Sequence, residues 1–187
     1  MANPAKRRAT YEDLCAVPEH LVAELIHGEL HTYPRPALIH ARAASRLGID
    51  LGGPFDRGKG GPGGWIILDE PELHVQSDVL VPDLAGWRRE RVPELPAATA
   101  FELAPDWVCE VLSSATAAVD RTDKMGIYAR EQVRQVWLVD PTIATLEVYR
   151  LLDRKTYESV VAWRGDARVR AEPFDAIELE LAAIWER

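Results

Sequence analysis

Asp83 in VLVPDLAGW, Glu110 in PDWVCEVLSS and Lys124 in DRTDK are the residues of this 187-residue chain best suited to chemistry. Each carboxylate lies in a short apolar, β-branched run, where an ionised group is costly to bury unless it is paired with a cation or bound to a metal. Glu110 is the sharper case: Val108, Cys109, Val111 and Leu112 surround it, so it requires either a functional cation or the arginine of a buried ion pair. Asp83 follows Pro82 in an extended run, and read alone it is a turn or strand-end aspartate. Lys124 precedes Ile127 and Tyr128 by three and four positions, which on a helix sets it on the apolar side. Read alone, it is a surface lysine whose stem lies over that side.

The elements that must position these residues follow from pattern. Thr10 and Asp13 have the spacing of a capping box opening a short helix at Tyr11. VAELIHGELHTY reads as a hairpin turning at His27-Gly28, which sets Ile26 opposite Glu29 and Glu24 opposite His31. Residues 37–51 carry apolar groups at helical spacing and predict a helix ending at Gly52-Gly53. The stretch from 52 to 64, GGPFDRGKGGPGG, predicts a mobile loop. Strands are expected over Trp65–Val75, Val79–Trp87 and Trp107–Leu112, forming a central sheet. A helix from about Val119 or Asp120 to Val133 follows, capped by Asp120 with Lys124 in its first turn. VWLVD, TLEVYR and YESVVAW add three strands, and AIELELAAIW fits a strand or a terminal helix.

Composition narrows the function classes. One domain over residues 1–187 is expected, with 1–9 as a flexible arm; a globule of this size buries roughly 70% of its unfolded surface and needs no disulfide or metal staple. The cysteines, Cys15 and Cys109, form no CxxC, and Cys109 belongs to an apolar strand. No run approaches the roughly 20 apolar residues of a membrane span, and no apolar stretch follows the basic start. A cytoplasmic protein with no membrane partner is expected. The net charge of −8 opposes general nucleic-acid binding, although Lys6-Arg7-Arg8, Arg88-Arg89 with Arg91, and Arg121 with Lys124 could form local patches.

Two motifs mislead. Gly53 to Lys59 satisfies G-x-x-x-x-G-K, but Gly60 replaces the hydroxyl residue and no helix N-terminus follows to hold phosphate. His27 and His31 have the i, i+4 spacing of helical metal ligands, yet Gly28 and the strand alternation place them on a hairpin.

Taken in order, Tyr11-Glu12-Asp13-Leu14, Glu24-Leu25-Ile26-His27-Gly28-Glu29, Pro82-Asp83, Glu110-Val111-Leu112-Ser113, Asp120 through Lys124 to Tyr128, and Val136 to Pro141 resemble the Uma2 (DUF820-type) family of restriction-endonuclease-like proteins, within the PD-(D/E)XK nuclease superfamily. The resemblance implies an α/β restriction-endonuclease-like fold, with a mixed central β-sheet flanked by helices and an N-terminal β-hairpin. It also implies a nuclease site. The superfamily's lysine belongs two residues after the second acid, where this chain has Leu112, so a migrated lysine is implied and Lys124 is the candidate. The family's Asp-Gly turn is His27-Gly28 here.

With that site implied, phosphodiester hydrolysis would use Mg²⁺, or Mn²⁺, held by Asp83, Glu110 and the main-chain carbonyl of Val111. Lys124 would orient water or stabilise charge, and as a non-ligand it is expected to be dispensable for metal affinity and for the fold. Glu24 is a weaker candidate, as a ligand of a second metal or a support for the first. The expected function is a Mg²⁺-dependent endonuclease acting on DNA, as a homodimer. The alternatives are a non-catalytic nucleic-acid-binding or regulatory protein that keeps the fold, and an oligomerising module whose acids are structural.

Overall fold

The computed structural model describes residues 7–153 and 155–186. Residues 1–6 of the expected arm, Lys6 among them, lie outside the described residues; Arg7 pairs with Asp13 at 2.7 Å. Helix α1, Tyr11–Cys15, starts with the expected capping box, Thr10 and Asp13 each bonding the other's backbone N–H. Strands β1, Leu21–Ile26, and β2, Glu29–Pro34, pair in the expected register, Glu24 opposite His31 and Ile26 opposite Glu29. His27 at φ 54° and Gly28 at φ 80° make the two-residue turn, whose positive φ values suit the twist of the strands it joins.

Helix α2, Leu38–Leu51, does not stop at the Gly pair. It runs on as a π-turn over Gly52–Asp56, because Phe55 buries its ring against Phe174, with ring centroids 4.7 Å apart. The segment expected as a bare loop is tied by Lys59 N–H to the Gly53 carbonyl and Gly63 N–H to the Pro54 carbonyl, each at 2.9 Å.

The two long strands expected over 65–75 and 79–87 are each divided. Strand β3, Trp65–Asp69, breaks before β4, Leu73–Val75; β5, Asp78–Leu80, breaks before β6, Leu84–Arg88. Pro71 and Pro82 lie in the gaps and have no N–H to give a ladder, and Glu70 takes φ 45°, turning the chain. The halves join different sheets: β1, β2, β4 and β5 form a four-stranded sheet in the order β2-β1-β5-β4, whereas β3 and β6 enter the central one.

That central sheet adds β7, Trp107–Val111, β8, Gln135–Asp140, β9, Thr145–Leu151, and β10, Tyr157–Arg164, in the order β10-β9-β8-β7-β6-β3. Only its β7–β8 pairing is parallel. The connection between those strands carries helix α3, Ala117–Val119, a π-turn over Asp120–Lys124, and helix α4, Met125–Arg130, as a parallel crossover requires. Near the C-terminus a two-stranded β11–β12 ladder, Arg168–Val169 with Leu179–Glu180, leads into helix α5, Leu181–Trp185. The ambiguous last segment is therefore both, a strand end and then a helix.

Alternation divides β7 between two cores. Trp107, Cys109 and Val111 face a core shared with α2, α5 and Phe174; Val108 and Leu112 face the other, with Ile127, Tyr128 and Ile26. Gly86 makes the first core possible, since a Cβ there would stand 3.1 Å from Trp107 and 3.2 Å from Trp65. The mixed central sheet flanked by helices is the fold class the sequence implies. Among the described residues no helix is long and apolar enough to cross a membrane.

Candidate active site

Strand alternation puts Glu110 on the face of β7 that carries Val108 and Leu112, toward α4 and the four-stranded sheet. Leu84 pairs with Cys109 across β6–β7, so Asp83, one residue before β6, comes opposite Glu110. Both carboxylates line one pocket of about 260 Å³, along with Glu24, His40, Asp120 and Lys124. Asp83 is anchored on both oxygens: the Val111 N–H donates to Oδ2 at 2.7 Å, and His40 Nε2 lies 3.3 Å from Oδ1.

Lys124 is neither in a first helical turn nor at the surface. It lies midway along the α3–α4 stretch with 3% of its side chain exposed, and its ammonium is 2.8 Å from Glu110, 3.0 Å from Glu24 and 3.4 Å from Asp120. Asp120, expected as the helix cap, instead points inward four residues before Lys124. Asp120, Lys124 and Tyr128 follow one another at steps of four along the stretch, which keeps them on one side of it, so all three meet the same group of acids. The Tyr128 hydroxyl donates a short hydrogen bond to Glu110 Oε1. Glu24 accepts the Val81 N–H at 2.8 Å, which fixes the hairpin's carboxylate on the Lys124 ammonium.

Four carboxylates thus face one lysine and one histidine, and the cluster grips protons tightly. Burial pushes the Glu110 carboxyl well above its ordinary value, with Asp120, Asp83 and Glu24 adding to the rise and Lys124 only partly opposing it. Burial also raises Asp120. For Lys124 burial acts downward, but Glu110 and Glu24 more than offset it and hold the ammonium charged. His40 is pulled down by burial and raised more strongly by Asp83 and the Val111 carbonyl. Four carboxyl groups outnumber the two basic side chains here, so a cation entering the site would meet acids that otherwise hold protons.

The five sequence candidates, Asp83, Glu110, Lys124, Glu24 and Val111, come together. The hairpin histidines do not: His27 lies 3.9 Å from Asp123, and His31 and Tyr33 have ring centroids 6.4 Å apart on β2. Three members were missed as site residues. His40 lies in a helix whose sequence signal is its apolar spacing, which gives no sign of a histidine turned to the acids. Asp120 looked like a cap and Tyr128 like core, although their i, i+4 spacing from Lys124 was a readable signal.

A family described as Uma2, "Putative restriction endonuclease", matches residues 8–183. The chain belongs to the Uma2 family. A solved structure with the same fold is titled as a putative nuclease belonging to DUF820 from Anabaena variabilis ATCC 29413; it superposes with a TM-score of 0.75 at 22% identity, over 95% of this chain and 97% of that one. No curated protein matches the chain significantly. Leu112, two residues after Glu110, is 3% exposed and packs in the second core, while the ammonium beside Glu110 is that of Lys124.

Proposed function

We propose that the protein is a nuclease that hydrolyses phosphodiester bonds of DNA with Mg²⁺ or Mn²⁺, acting in the cytoplasm and as a homodimer. The observation that carries the reading is the surplus of buried carboxylate around Lys124 at the floor of a pocket. The donors suit a hard divalent cation, since Asp83, Glu110 and the Val111 carbonyl are all oxygen ligands. Among the described residues no three His, Cys, Asp or Glu side chains are spaced to hold a metal together; Mg²⁺ keeps several waters and needs only one or two carboxylates. When bound, such an ion supplies charge relief at phosphoryl oxygen and a more acidic water.

The chain's own groups divide the remaining work. Val111 N–H and His40 hold the Asp83 carboxylate in one orientation. Tyr128 and Lys124 both bond Glu110 Oε1, which fixes that side chain. Lys124, kept protonated by its acids, can orient a water or stabilise a phosphoryl oxygen. Glu24 positions the ammonium.

The non-catalytic binder would need a basic face, and several members of the clusters that could supply one are paired with acids: Arg7 with Asp13, Arg89 with Asp56, Arg91 with Asp106 and Arg121 with Glu147. Calorimetric titration of Mg²⁺ or Mn²⁺ into wild type and Asp83→Ala, with cleavage assays on the same samples, tests the proposal. Binding and cleavage should fail together in the variant. A wild type that binds neither ion and cuts no DNA overturns it.

A further inference from the structure

We infer that the substrate is single-stranded DNA, or a strand end or flap freed from a duplex, rather than intact duplex; the inference rests on the nuclease reading and names its substrate class. The first argument is depth. Glu110 and Lys124 are 2–3% exposed, and the pocket above them, at about 260 Å³, is at the small end for a ligand site. A scissile phosphate must enter this space to meet the ammonium.

The lips of the pocket are braced. One is the segment from Tyr33 to Ala37, in which Pro34 and Pro36 fix their own φ on either side of Arg35, and Arg35 donates to the Glu19 carbonyl at 2.6 Å. The other runs from Ser113 to Thr116. There the Ser113 hydroxyl lies 3.1 Å from Thr116 Oγ1 and accepts the Ala115 and Thr116 N–H groups at 3.3 and 3.2 Å. A duplex carries its phosphates on a wide, stiff cylinder with a persistence length of about 50 nm, so its stiffness and its paired second strand both oppose lowering one phosphate between fixed lips. A single strand has neither constraint.

The lining suits one nucleotide. Tyr33 lines the pocket, and its hydroxyl is buried without a hydrogen-bond partner. A ring on which a base can stack, with a guanidinium at the lip for the backbone, is the sequence-tolerant way to hold a single strand. Charge agrees: duplex affinity grows with the number of phosphates neutralised, whereas this chain is at −8 and Arg7, Arg89, Arg91 and Arg121 are each paired with an acid. Affinity must then come from the pocket.

One oligonucleotide sequence, offered as single strand, blunt duplex and flapped duplex, separates the outcomes: fluorescence anisotropy in Ca²⁺ reads binding, and Mn²⁺ assays read cleavage. The strand and the flap should bind about tenfold or more tightly than the duplex and be cut in that order. Tyr33→Ala should erase most of that preference by raising the Kd for the strand, whereas Tyr33→Phe, which keeps the ring, should retain most of it. Duplex bound or cut as well as strand overturns the substrate inference and leaves the nuclease reading standing. Strand preference in binding, with no form cut by wild type, overturns the nuclease reading and keeps a single-strand pocket. No binding and no cleavage of any form overturns both.

Discussion

Lys124 and Arg130 lie six residues apart on one helical stretch, and each links it to buried acid. Arg130, 35% exposed at the side chain, bonds Asp78 at 2.9 Å and Glu131 at 2.6 Å. Asp78 is engaged on its other oxygen as well, by the His27 N–H at 2.6 Å, so this pair joins the hairpin tip, β5 and α4. Lys124, 3% exposed, faces three carboxylates with Asp83 nearby, and its cluster forms the floor of a pocket. An ion pair that consumes its acceptors is a joint. One that leaves acid in surplus beside a cavity is a candidate site, because a further cation entering it would meet the remaining acids.

Substitutions at the two places break or sharpen that comparison. The largest contrast is in cleavage: Glu110→Gln should lose about 10³-fold in Mn²⁺-supported turnover, whereas Arg130→Ala should stay within about twofold of wild type. Equal losses would mean that both clusters are structural.

Stability comes next, and here the structure corrects an expectation. Lys124→Ala was expected to leave the fold intact, yet it would strand three buried carboxylates, so urea unfolding should show a loss of about 3–5 kcal/mol. Metal titration and activity of this variant are therefore interpretable only under conditions where it is folded. Arg130→Ala should cost less, about 1–3 kcal/mol, because its guanidinium is partly solvated but Asp78 is not. A Lys124→Ala loss within about 0.5 kcal/mol, as for an exposed lysine, would contradict the burial argument.

A smaller effect is expected from Tyr128→Phe, which removes the hydroxyl donor to Glu110 while keeping the ring: about 1 kcal/mol in the same unfolding assay, with turnover reduced. The smallest concerns a surface pair. Arg121 hydrogen bonds hold the Glu147 carboxyl below its ordinary value, so this pair's stabilisation is present above about pH 4.5 and lost as pH falls through the lowered value. Glu147→Gln should remove that acid-dependent part, under about 1 kcal/mol, seen as a flatter plot of unfolding free energy against pH below 4.5.

Much of the architecture was legible because local rules act within a few residues. The Thr10–Asp13 box, the His27-Gly28 turn with its register, helix α2 and the strands β7 to β9 each follow from caps, turn chemistry or period. The divided strands were less legible. Apolar runs over 65–75 and 79–87 look continuous in composition, and although Pro71 and Pro82 mark the breaks, which half joins which sheet depends on partners remote in the chain. Likewise the Gly-rich segment reads as a loop until Phe55 finds Phe174, more than a hundred positions away.

For the site, sequence alone determined the inventory: two acids in apolar strands, an acid on a hairpin, and a lysine on the side of a helix shared with a tyrosine. It could not set their protonation, nor reveal that His40 belongs with them. Only the tertiary structure decided that Glu24, Asp83, Glu110 and Asp120 would share one ammonium. The physical reason is that burial and charge act through space: a carboxyl's affinity for protons and cations depends on which other charges are brought within a few ångströms of it as water is removed.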